Sequence, residues 1–187
     1  MKGFIFKAGF IPYEIVHYGI SEYLTVFTSM FVHGGWFHLI GNMLYLWIFA
    51  DNVEDCLGHA RFLLFYLICG LAGSGAHFIT SLASKVPAVG ASGAISGVLG
   101  GYLLLYPTAT VLTLIPLGFF IRIIRLPALI VLGFWIVLQL LNGLFGLAAR
   151  GGGGIAWFAH IGGFFAGLVL VKLFQKRPAL KRHRHEI

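Results

Sequence analysis

The sequence predicts an all-α membrane protein, a polytopic bundle of helices. Three observations lead there. Mean hydropathy is +0.92, and hydrophobic residues make up 59% of the chain against 10% charged, more apolar surface than a soluble domain of this size uses. The apolar residues fall in five runs separated by Gly, Pro and charged punctuation, most of them close to the length a membrane crossing requires. Two runs repeat small residues at every fourth position, Gly93-Gly97-Gly101 and Ala159-Gly163-Gly167. Such glycines cost about 1 kcal/mol each inside a soluble helix. In lipid they let two helices approach backbone to backbone.

Residues 1–35 read as a mixed, interfacial segment, because Pro12, Glu14, His17, Gly19 and Glu22 break any span. The stretch between Lys2 and Lys7 is too short for the apolar region of a cleavable signal peptide. The first span covers residues 36–52 and ends in the acidic cluster Asp51, Glu54 and Asp55. The second covers 61–82, with Gly70, Gly73 and Gly75 for close packing. The third runs from Ser92 to Tyr106 and stops at Pro107. Residues 108–126 are apolar, but Pro116 and Gly118 interrupt them and Arg122 and Arg125 close them, so they are expected to form an interfacial connection. The fourth span covers 127–147, Arg150 and Gly151 to Gly154 form a flexible link, and the fifth covers 155–174. The chain thus divides into an outer-side interfacial segment (1–35), a transmembrane domain (36–175) and a basic tail (176–187).

The net charge of +7 is not a nucleic-acid footprint. Lys172, Lys176, Arg177, Lys181, Arg182 and Arg184 gather at the end of the last apolar run, as in a cytoplasmic flank. With five spans and the tail in the cytoplasm, Arg61, Arg122 and Arg125 also fall inside, and Lys2, Lys7, Lys85 and Arg150 outside. The excess lies on the inner side, as the positive-inside rule requires. The first, third and fifth spans then all enter from the outer face. Cys56 and Cys69 are too few for a disulfide framework.

Three polar sites fall at matching depth near that face. Ser92 opens the third span in Gly90-Ala91-Ser92-Gly93. A serine there caps the helix, or is a nucleophile whose oxyanion meets free backbone N–H groups. His160 stands a few residues into the fifth span, and His38 and Asn42 share one face of the first. Each also has a plain use as interhelical glue. An ionisable residue within a span, however, is a functional-site candidate by default. Packing the two small-residue faces together brings Ser92 and His160 within hydrogen-bond reach, the minimum for nucleophile and base. Fifteen residues of helix reach only ~22 Å against a ~30 Å core, which sinks Ser92 below the surface.

Gly90-Ala91-Ser92-Gly93, Ala159-His160-Ile161-Gly162-Gly163 and His38-Leu39-Ile40-Gly41-Asn42 resemble the motifs of the rhomboid intramembrane serine proteases. His33-Gly34-Gly35-Trp36-Phe37-His38 and Asp51-Asn52-Val53-Glu54-Asp55-Cys56-Leu57-Gly58 are similar to the family's bacterial members, and the resemblance spans roughly residues 20–175. It implies Ser92 as nucleophile and His160 as general base, with no third acid. It also implies an oxyanion hole from His38, Asn42 and the Ser92 N–H. The implied substrate is another transmembrane protein, cut within or near its membrane helix at the outer face of a cell membrane. No metal or cofactor and no nucleic acid is implied. The family core has six spans against the five seen here, so the chain is expected to lack the first helix and begin in the loop that follows it.

Two other classes compete. A non-catalytic rhomboid-like protein would bind transmembrane helices without cutting them; loss of Ser92 or His160 would favour it, and both are present. A channel would continue the polar path inward, for which Gln139 and Asn142 are the candidates. A metal site from His33, His38 and His160 has no supporting ligand pattern.

Overall fold

A computed structural model of the chain describes residues 2–118, 120–148 and 155–179. The expected link at Arg150 to Gly154, and the tail cations Lys181, Arg182 and Arg184, lie outside the described residues.

Short helices occupy the first segment: α1 (Lys2–Ala8), α2 (Pro12–Tyr18) and α3 (Tyr23–Thr28), none of crossing length. Five longer helices follow the five apolar runs: α4 (Trp36–Leu57), α5 (His59–Thr80), α6 (Ser92–Leu105), α7 (Ala128–Ala148) and α8 (Trp157–Phe174). Of these, α5, α7 and α8 are long and apolar enough to cross a membrane. α6 is shorter, with 14 residues. α4 has 22 residues but carries polar groups at both ends. Gly58, at φ +78°, makes the sharp turn between α4 and α5.

α6 is the centre of the bundle. Every residue from Gly93 to Tyr102 is buried, and Val98 and Leu99 share a core with Phe49, Phe65, Leu132 and Phe164. It packs chiefly on α8, with α5 alongside. The expected small-residue faces meet. A Cβ on Gly163 would overlap the Gly93 carbonyl, and one on Gly167 the Gly97 carbonyl. The third pairing keeps this register but meets a side chain, since Gly101 lies against Val171 of α8. Gly100, not Gly101, lies against the α8 backbone, while Gly101 faces the Phe65 and Val171 side chains. On α5, Gly70 and Gly73 are packed as expected, whereas Gly75 faces open space.

The connection expected at residues 108–126 is an antiparallel β-hairpin, β1 (Thr110–Leu117) and β2 (Phe120–Pro127). Val, Thr and Ile favour the extended chain, and Gly118 at φ +62° supplies the turn. Pro116 is tolerated because each strand pairs on one side only. The hairpin joins the ends of α6 and α7, and the Ala128 N–H donates to the Ala109 carbonyl at 2.7 Å. At that same end, the N–H groups of Lys176 and Arg177 both donate to the Cys56 carbonyl.

The first segment closes the opposite end. Phe10 is buried against the His77 and Phe78 rings and bridges to Ala88. The carbonyl of Ser29 receives the N–H of Gly90 at 2.9 Å. This links the first segment to the turn that leads into Ser92.

Candidate active site

Ser92 is the first residue of α6, and the cap position belongs to Ala91. The hydroxyl is therefore not a helix cap. Ser92 Oγ stands 2.8 Å from Nε2 of His160. The two come together because α6 and α8 run side by side at the separation their glycines permit. On the other side of the imidazole, Nδ1 stands 2.8 Å from Oε1 of Gln139, on α7. The Trp135 and Trp157 rings flank it at 6.0 and 6.2 Å between centroids.

Gly90 turns at φ +122°, a conformation that glycine adopts without strain. It also makes room for His38. A Cβ there would lie 2.7 Å from His38 Nε2 and 3.6 Å from Asn42 Nδ2. His38 Nδ1 receives the N–H of Gly34 at 3.3 Å, so a neutral His38 carries its proton on Nε2, the nitrogen facing Gly90. Asn42 is buried, and its Nδ2 has no hydrogen-bond partner among the described residues. Two donors thus converge on the turn two residues before Ser92. His33, in the loop before α4, holds its pKa below the ordinary imidazole value, through burial first and the neighbouring His38 second. Its ring meets that of His38 edge-on at 5.3 Å.

Beside Ser92 is a cavity of about 30 Å³, lined in part by Ser29, Ser74 and His77. That volume and those polar walls suit an ordered water. Ser92, His160, His38 and Asn42, all singled out from the sequence, therefore gather at one end of the bundle. Gln139 was singled out only as a candidate for an inward polar path. The Ser74–His77 wall had no signal, because neither residue belongs to a motif. Among the described residues no three His, Cys, Asp or Glu side chains converge as a metal site would require, so the trio His33, His38 and His160 does not form one.

The fold is that of a polytopic membrane helix bundle with a serine and a histidine joined at one end. Residues 21–177 match the family model for the rhomboid domain, and the chain belongs to the rhomboid family. It is 34% identical to RHOMBOID-like protein 1 of Arabidopsis thaliana over 158 residues, covering 84% of this chain and 36% of the relative. To Rhomboid protease GluP of Bacillus subtilis it is 43% identical over 83 residues, 44% of this chain and 16% of the relative. To RHOMBOID-like protein 6, mitochondrial, of Arabidopsis thaliana it is 33% identical over 177 residues, 92% and 50%. The chain spans half or less of the length of these relatives.

Proposed function

We propose that the chain is an intramembrane serine endopeptidase that cuts transmembrane proteins within or beside their membrane helix. The observation that carries this reading is the 2.8 Å contact between Ser92 Oγ and His160 Nε2 at the part-buried start of α6. His160 takes the Ser92 proton as Oγ attacks the scissile carbonyl carbon. The carbonyl oxygen becomes an oxyanion and receives hydrogen bonds from the Ser92 N–H, His38 Nε2–H and Asn42 Nδ2–H. The tetrahedral intermediate collapses, the peptide C–N bond breaks, and His160 passes its proton to the leaving amine. Water then attacks the acyl-serine with His160 again as base, releasing the carboxylic acid and restoring Ser92.

Asn42 Nδ2, unpartnered among the described residues, supports this assignment. A buried donor without an acceptor costs about 1–3 kcal/mol, a cost that is relieved when an oxyanion arrives. The cavity beside Ser92 supports a water supply. The cation count supports a cytoplasmic C-terminus in a cell membrane, with the site opening to the outer face.

The test is labelling of the purified protein with a fluorophosphonate, together with cleavage of a model transmembrane substrate. Wild type is expected to label at Ser92 and to cleave. Ser92→Ala and His160→Ala are each expected to lose nearly all cleavage, because a catalytic pair fails as a unit. A folded wild type that neither labels nor cleaves would instead mark a rhomboid-like protein that binds transmembrane helices without cutting them.

A further inference from the structure

Gln139 lies midway along α7 and is one of few polar side chains buried in the bundle, at 7% exposure. Its Oε1 contacts His160 Nδ1 at 2.8 Å while His160 Nε2 contacts Ser92 Oγ at the same distance. Resting on the reading above, we propose that Gln139 is the positioning residue of the site. Its amide oxygen holds His160 in the one tautomer able to take the Ser92 proton.

The argument is one of donors and acceptors. A neutral imidazole has one N–H and one bare nitrogen, and the hydrogen bond at one nitrogen sets the state of the other. An amide oxygen only accepts. The nitrogen facing it is therefore N–H, so Nδ1–H donates to Gln139 Oε1 and Nε2 keeps its lone pair toward the Ser92 hydroxyl. Without that acceptor the Nε2–H tautomer competes, and it aims a proton at Ser92 instead of receiving one. When the imidazolium forms, Nδ1–H becomes a charged donor and its bond to Oε1 strengthens. Among the described residues, the titratable groups acting on this ring are His38 from α4 and His77 from α5, neither of which is a carboxylate. Ser92 from α6 fills the remaining nitrogen. With its amide oxygen turned toward the ring, Gln139 thus supplies at Nδ1 the acceptor that an aspartate supplies in soluble triads. It does so without placing a full charge inside the membrane, where one is expensive.

The test compares Gln139→Met, similar in length without the amide acceptor, with Gln139→Glu, which restores an acceptor oxygen. The readouts are kcat and KM on a model transmembrane substrate, the pH–rate profile, fluorophosphonate labelling rate and Tm in detergent. Gln139→Met is expected to lower kcat and the labelling rate by ~10-fold or more, within the range of general-base effects, with KM and Tm near wild type. Gln139→Glu is expected to recover most of that loss. Its carboxylate favours the imidazolium, so the acid limb of the profile moves to higher pH. A Gln139→Met variant with wild-type kcat overturns the proposal. So do Met and Glu variants that lose activity equally with a matching fall in Tm, which marks Gln139 as packing, and a Glu variant whose acid limb stays in place. If wild type itself lacks Ser92-dependent labelling, the protease reading fails and this proposal with it. If wild type labels and Gln139→Met matches it, only the positioning role fails.

Discussion

Asn42 is where a single side chain carries the most testable chemistry. Its Nδ2 is buried and has no partner among the described residues, and it lies beside Gly90 with the Nε2 edge of His38. A donor used only on the developing oxyanion affects the transition state more than the bound substrate. Asn42→Ala is therefore expected to lower kcat by ~10-fold or more, toward the ~10²–10³ seen for oxyanion donors elsewhere, with KM little changed. Steady-state kinetics on a transmembrane substrate check this. An effect confined to KM would make Asn42 a binding residue. His38 and Asn42 were readable from sequence because positions i and i+4 share a helix face. The pairing of Gln139 with His160 was not, since the two lie on different helices.

The α6–α8 contact holds the serine and histidine together, and its tolerance for added atoms is low. A Cβ on Gly167 would overlap the backbone carbonyl of Gly97, which cannot rotate aside as a side chain can. Gly133 on α7, in contrast, has nothing within 4 Å of its Cβ position. Gly167→Val is expected to destabilise by at least the ~1–3 kcal/mol of an overpacked core and to reduce cleavage, because a shift of about 1 Å between reacting groups costs ~10²-fold. Gly133→Val is expected to leave both within error. Thermal unfolding in detergent and cleavage rates read the contrast. Equal effects in the two variants would show that the close approach is not what sets the site. The stripe was visible as a four-residue repeat. The approach of Gly100, outside that stripe, to the α8 backbone was not, because it is decided only when the two helices pack.

The whole bundle has two distinct ends. Ser92, His160, His38 and the first segment gather at one, and the hairpin, the α4–α5 turn and the C-terminal end of α8 at the other. In a membrane these ends face opposite compartments, and the distribution of Lys and Arg supports the proposal that the serine end faces outside. A cysteine introduced at Lys85 is expected to react in intact cells with an impermeant maleimide, and one at Arg177 only after permeabilisation. The native Cys56 and Cys69 are buried, which keeps the background low. The opposite pattern would turn the site to the cytoplasm and remove the outer-face protease reading.

The helical bundle, its five apolar runs and four residues of the candidate site were legible in the linear chain. Each depends on local periodicity: an apolar run of crossing length, a small residue every fourth position, a polar residue at a span end. The stretch at 110–127 was legible as a connection but not as a hairpin, because Pro116 and Gly118 look like breaks in a helix until the two flanking strands pair with each other. The Gln139–His160 contact, the cavity beside Ser92 and the hold of Ser29 on Gly90 join residues distant in sequence. No local pattern encodes such contacts. They arise when α6, α7, α8 and the first segment settle against one another, where the backbone separation that glycine permits determines which polar atoms come within 3 Å.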